Sequence, residues 1–157
     1  MHLERGQLSI SDAFVALFIA LLFFSLAIAV WNADLAYINK RSNYNDLKQE
    51  AFLALNQLVL SPGYPSAWDA NTVQVLGLAS GKRVLSPAKL ASFAALSDAQ
   101  IAGLLNLREH GFLFEMYTGS ALVYSKGAAR SSGLAVSMER IVEFDGNLSR
   151  AELTVYD

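Results

Sequence analysis

The sequence predicts an α+β chain: a long N-terminal helix, transmembrane in its first half, packed through its second half on a small antiparallel β-sheet head with two short helices. Three observations carry this prediction. Residues 7–60 contain neither proline nor glycine, and within them residues 13–31 carry no charge. Ser61-Pro62-Gly63 then stops the helical pattern sharply. Beyond it, apolar residues recur at every second position in several runs, and Asp145-Gly146 separates the last two, a strong hairpin signal.

Composition sets the outer bounds. The chain has 157 residues, enough for one small domain plus an anchor. It is 54% hydrophobic and 17% charged, with a mean hydropathy of +0.33, whereas about a quarter of the residues of a soluble domain are charged. The formal net charge is −2, so no basic field points to nucleic acid. There are no cysteines, which excludes disulfides, thiol catalysis and cysteine-ligated metals.

Taken in order, residues 1–6 are short and polar, with Glu4 and Arg5 cancelling. Residues 13–31 have Ser25 as their sole polar side chain. As a helix they span about 28 Å, close to the roughly 30 Å hydrocarbon core of a bilayer. Trp31 at the far edge suits the membrane–water interface. A core helix would have to hide such a block on all faces, which a domain of this size does not offer. The rival is a cleaved secretory signal, since Ala27-Ile28-Ala29 is a small-x-small site. Against it, the apolar run is longer than a usual signal core, Asp12 directly precedes it, and the helical pattern continues past it. Arg5 lies before the block and Lys40, Arg41 and Lys48 after it. A count of basic residues alone would put the C-terminal side in the cytoplasm.

Residues 32–60 continue the helix. Leu47, Ala51, Leu55 and Leu58 recur at spacings of three and four, with Phe52 and Val59 beside them, and predict a stripe packed on the head. Residues 39–45 are rich in asparagine and lack such a stripe, so the helix is weakest there. Val73-Gln74-Val75-Leu76 alternates as a short strand. Ser86-Pro87 starts a helix running to about Leu96. Ser97-Asp98-Ala99-Gln100 is a capping box for a second helix ending near Leu107. Phe112, Phe114 and Met116 share one face of a strand, which residues 121–124 pair with across Thr118-Gly119-Ser120. Leu134, Val136, Met138, Val142 and Phe144 share a face interrupted by Arg140, and Ala151, Leu153 and Val155 share a face of the return strand.

No constellation supports catalysis: there is no nucleophile-elbow pattern, phosphate-binding loop or metal-spaced cluster. No cofactor is implied. Two histidines, one of them at position 2, leave His110 beside Glu109 without a metal or acid–base role. Trp68 packs the junction after the long helix, Lys82-Arg83 is a solvated loop, and Glu139 and Glu143 alternate as solvent-facing strand residues. Asn147-Leu148-Ser149 is a sequon in an exposed turn, which makes Asn147 a glycosylation candidate.

Arg5-Gly6-Gln7-Leu8-Ser9, followed by Asp12 and an apolar helix, resembles the class III (prepilin-type) signal sequence of archaeal type IV pilin-like proteins. Ser61-Pro62-Gly63-Tyr64-Pro65 with Trp68 is similar to the junction these proteins carry after their long helix. Val75-Leu76-Gly77-Leu78-Ala79, Val84-Leu85, Lys89, and Leu104-Leu105 with Leu107 are similar to their head domains, so the resemblance covers most of the chain. It implies a leader over residues 1–6, a transmembrane part over 7–31, an extracellular part of the same helix over 32–60, and a globular α+β head over 61–157. It implies cleavage by a prepilin peptidase between Gly6 and Gln7 and an N-terminus facing the cytoplasm, opposite to the basic-residue count.

The implied partners are other pilin-like subunits, an assembly ATPase with its membrane platform, and membrane lipid, with no nucleic acid. The implied location is the cell membrane, single-pass, with the head extracellular or carried in a filament. Many pilins place an acid four residues after the first mature residue; here that position is Ser11 and the acid is Asp12. In the family such an acid pairs with the N-terminal amine of a neighbouring subunit, because a charge in a packed helical bundle is costly unless paired. Two other classes stand beside this expectation: a non-polymerising, single-pass, membrane-anchored binding protein, and a secreted domain cleaved after Ala29. N-terminal sequencing of the mature chain separates the secreted form, which starts at Val30, from the expected start at Gln7, and filament preparations that never contain the chain identify the anchored binding protein.

Overall fold

The computed structural model describes residues 3–107, 110–130 and 133–157, and the side chains of all of these except 3–11, 36 and 39. Helix α1 spans Leu3–Leu60. Strands β1 (Ala79–Gly81) and β2 (Val84–Leu85) follow, then helices α2 (Pro87–Ala95) and α3 (Asp98–Leu104). Four longer strands complete the chain: β3 (Gly111–Thr118), β4 (Ala121–Gly127), β5 (Ala135–Phe144) and β6 (Asn147–Tyr156). The chain divides into two units, Met1–Asn43 and Tyr44–Asp157. The second contains the end of α1 and everything after it.

In this second unit the end of α1 turns one stripe inward. Leu47, Ala51, Ala54, Leu55, Leu58 and Val59 are buried and join one core with Phe93 of α2, Ile101 of α3 and the inner face of the sheet. The sheet runs β1-β2-β5-β6-β3-β4. Its inner face is built by Val136 and Val142 on β5, Ala151, Leu153 and Val155 on β6, and Phe112, Phe114 and Met116 on β3. Phe93, Phe114 and Tyr124 form an aromatic cluster with centroids 5.9 to 6.4 Å apart, edge-on where Phe93 meets Phe114. The Tyr124 hydroxyl points at the Leu90 carbonyl, 3.4 Å away, and burial pushes its pKa up to about 12.

Arg140 lies on this inner face and does not interrupt it. Its Nε donates to Asn56 Oδ1 of α1 at 3.2 Å, and its guanidinium lies 5.1 Å from the Phe52 ring centroid. The charged head ties β5 to the helix while its stem covers apolar surface.

The exit from α1 explains the turn chemistry after it. Leu78 N–H donates to Leu58 O at 2.7 Å and Ala79 N–H to Ser61 O at 3.1 Å, satisfying carbonyls that a helix end leaves free. Gly63 takes a left-handed φ of 75° while its N–H donates to Ser61 Oγ at 3.0 Å. Trp68 is buried in the junction and its Nε1–H donates to Gly77 O at 2.8 Å. Lys89 of α2 straps the region, its ammonium donating to Pro62 O at 2.6 Å and Ala79 O at 2.9 Å. Desolvation there lowers the Lys89 pKa.

Several local expectations hold. Ser86 caps α2, its side chain accepting from Lys89 N–H, and Ser97 with Gln100 forms a full capping box on α3. Asp145 and Gly146 have φ of 50° and 74°, the two left-handed residues that a type I′ hairpin turn needs.

Three expectations are corrected. The sheet is mixed and not wholly antiparallel, because β2 pairs parallel with β5 through Val84↔Glu143 and Leu85↔Phe144. Alternation of side chains reports a strand but not its direction. The stretch from Val73 to Leu76 is not a strand: it makes one isolated bridge, Tyr64↔Val75. Its partner segment contains Pro62 and Pro65, which have no N–H to extend a ladder, and Leu76 O accepts instead from Gln57 Nε2 at 3.2 Å. Helix α3 ends at Leu104, before Leu107, where Asn106 adopts a left-handed φ of 56° that closes the helix.

Gly77 is the tightest point of the junction, since a Cβ there would sit 2.3 Å from both Gly63 N and Ser61 O. Gly77→Ala is expected to lower stability by about 1–3 kcal/mol, read as a fall in Tm. Gly103→Ala in α3, where a Cβ meets no atom within 4 Å, is expected to leave the melt unchanged or raised.

Candidate functional site

Among the described residues the first unit offers no core, only surface. From Asp12 to Leu35 every described side chain is exposed, including Phe14 at 68%, Phe24 at 71% and Trp31 at 68%. The most apolar window of this helix has a hydropathy of 2.9, with 0% of it buried. A helix that is apolar on all faces is stable only where something apolar surrounds it. Its polar atoms are already satisfied. The backbone bonds along the helix, and Ser25 Oγ donates to Leu22 O at 2.9 Å, so the one hydroxyl in the block carries its own acceptor. The chain therefore has one N-terminal helix long and apolar enough to cross a membrane.

Asp12 stands exposed at the N-terminal edge of this block, directly before Ala13. Gly6 and Gln7 lie in helical backbone within α1; their side-chain surroundings fall outside the described residues. Asn147 is exposed as the first residue of β6, and its Nδ2 donates to Asp145 O at 3.1 Å. The third residue of its sequon is different. Ser149 is 2% exposed and shares a 2.7 Å hydrogen bond with Thr118 Oγ1. Gly6, Gln7 and Asp12 belong to the first unit and Asn147 to the second.

His110 lies between two carboxylates, with Nε2 3.6 Å from Glu50 and Nδ1 3.8 Å from Asp157. Glu109, its sequence neighbour, lies outside the described residues. Beside His110 an open crevice of about 260 Å³ is bordered by Asp98, Phe112 and Arg130. Two of its charges have partners elsewhere: Asp98 meets Lys126 at 3.3 Å and Arg130 donates to Asp157 O at 3.4 Å. Among the described residues no group of three or more His, Asp or Glu side chains could hold a metal.

Sequence reading missed the face of the sheet turned away from the core. Register sets Glu139 opposite Glu152 and Glu152 opposite Glu115, a row of carboxylates across three strands. The next row is Ile141, Arg150 and Tyr117, with Leu122 beyond Tyr117. Arg150 reaches back to Glu139 at 3.7 Å and Glu152 at 3.8 Å, and its guanidinium lies 4.8 Å from the Tyr117 ring centroid. Partial desolvation, then a hydrogen bond with Glu115, raises the Tyr117 pKa. Alternation could have placed each glutamate outward, but only strand order puts them in one row.

No family model, curated protein or solved structure matches this chain. The apolar helix is directly testable. Leu22→Lys places a charge mid-block and should cost about 2.5–3.5 kcal/mol of insertion free energy, so carbonate extraction should release the variant while the parent stays with membranes.

Proposed function

We propose that this chain is a type IV pilin-like structural subunit, major, minor or pseudopilin, of an extracellular filament, assembled through its hydrophobic N-terminal helix. The observation that carries the reading is α1 itself. One unbroken helix is apolar and exposed on every face over residues 13–31, and one-sided and core-forming from Leu47 to Val59. Such a helix can exchange lipid for other copies of itself, because both surroundings are apolar and neither requires a backbone hydrogen bond to break. The resemblance of Arg5-Gly6-Gln7-Leu8-Ser9 to a prepilin-type signal supports the same reading.

In this mechanism the precursor inserts with its N-terminus toward the cytoplasm, and a prepilin peptidase cuts after Gly6. The apolar helix is retained and becomes the mature N-terminus. An assembly ATPase and its membrane platform draw the helix into a bundle of like helices, with the head on the extracellular side. The new α-amine of Gln7 brings a positive charge to the edge of that bundle, and Asp12 of a neighbouring copy supplies the counter-charge. Placing the acid at 12 rather than 11 turns it by about 100° around the helix and advances it about 1.5 Å, so the pairing would use a different rotation between neighbours.

The test is incorporation into filaments sheared from cells. Asp12→Asn should remove the chain from the sheared fraction while leaving membrane insertion intact, and Gly6→Leu should leave an uncut precursor in the membrane. Wild-type incorporation of Asp12→Asn would overturn the pairing. A wild-type chain found only in membranes, never in filaments, would replace this reading with that of an anchored binding protein.

A further inference from the structure

We infer that the open face of the sheet is a docking surface for a second copy of this chain, and that it receives the Lys82-Arg83 turn of that copy. The inference rests on the filament reading and names which head surfaces would meet.

The first ground is that the face is unpartnered. The helices and core lie on the other side of the sheet, and among the described outward residues of β5, β6, β3 and β4 only Tyr156, at the end of β6, is buried. Leu148 is 75% exposed and Ile141 51%; they are diagonal neighbours, since Ile141 pairs with Arg150 and Glu143 with Leu148. With Tyr117 and Leu122 they give the face an apolar strip beside its acidic row.

The second ground is charge. Like charges set directly opposite each other weaken a sheet, yet Glu139, Glu152 and Glu115 share one row. Glu143 stands outward on the same strand as Glu139. Arg150 answers only part of this charge, contacting Glu139 and Glu152. Within one copy Ser137 Oγ donates to Glu152 Oε1 at 2.6 Å and Tyr117 hydrogen-bonds Glu115, but neither partner carries charge, so a cation brought from outside would relieve the row's net negative charge.

The third ground is that the chain carries the complement. Lys82 and Arg83 are both exposed in the turn between β1 and β2. Among the described residues neither side chain takes part in an ion pair. The turn is held firmly: Arg83 has a left-handed φ of 62° and its carbonyl accepts from Glu143 N–H at 2.8 Å. The two cations are thus presented from a fixed loop at the β1-β2 edge of the sheet, beside the Glu143 end of β5. A contact between this turn on one copy and the acidic face on the next uses two different patches. Such a heterologous contact extends into an open chain of copies unless its rotation happens to close a ring.

The chain has no cysteines, so a designed pair reports one contact. Full-length Arg83→Cys and Glu139→Cys copies, co-expressed and oxidised in sheared filaments, should form a disulfide-linked dimer. Asn71→Cys, on the exposed turn after Trp68, replaces Arg83→Cys as the control and should not. Glu139→Lys with Glu152→Lys should lower filament yield by about tenfold while the head still gives a cooperative melt, and Lys82→Glu with Arg83→Glu on the same chain should restore the yield. Filaments that form with cross-linking only at the control level, or with yield indifferent to charge reversal, overturn this docking and leave the filament reading standing. A chain never found in filaments and never cross-linked overturns both. Cross-linking to a different protein at Glu139→Cys assigns the face to another partner and also overturns the inference.

Discussion

A polypeptide that enters a bilayer must bring a partner for every backbone N–H and C=O it takes with it, since lipid supplies none. The helix is the one single-segment solution, and the architecture of this chain follows from it. Residues 13–31 tolerate apolar side chains on every face because α1 closes its own hydrogen bonds and Ser25 closes its own through Leu22. Past Asn43 the same backbone geometry continues, but the side-chain pattern narrows to a stripe from Leu47 to Val59 that a water-exposed domain can bury. The change of side-chain pattern comes with no break in the main chain.

The head depends on how that helix ends. A helix terminus leaves carbonyls unpaired, and here the answering donors come from far along the chain, the N–H groups of Leu78 and Ala79, while the Lys89 ammonium ties Pro62 O to Ala79 O beside them. The result is a knot of short contacts among Ser61, Gly63, Trp68 and Gly77 that seats the edge of the sheet against the helix end. Bulk is excluded at Gly77, where backbone meets backbone, while Trp68 fills the space beside it. Side-chain and main-chain polar groups close one another here, so the junction is a single cooperative feature rather than a set of separable bonds.

What the sequence disclosed divides by range. Features decided within a few residues were legible: the proline-free and glycine-free run of α1, the Ser86 and Ser97 caps, and the Asp145-Gly146 turn, each fixed by local backbone chemistry. Features decided by a distant partner were not. Val73 and Val75 alternate as a strand would, but the prolines opposite deny them a ladder. Arg140 reads as a flaw in an apolar face until Asn56 and Phe52 of α1 are seen to receive it. The parallel docking of β2 on β5 has no signature in either segment. Of the candidate site residues, the position of Asp12 at the edge of the apolar block was plain from the sequence. The carboxylate row needed the strand order β5-β6-β3, which no outward alternation encodes.

The hairpin that ends the chain has a temporal consequence. Its sequon spans two environments, with Asn147 in solvent and the Ser149 hydroxyl shut between β6 and Thr118 of β3. An enzyme that must read both groups together meets them only while the last strand is still free. Once β6 closes against β3, half of the signal disappears. For an enzyme that must read both groups, access would be decided by the order of events, the closing of β6 against β3, rather than by how exposed the asparagine looks in the finished fold.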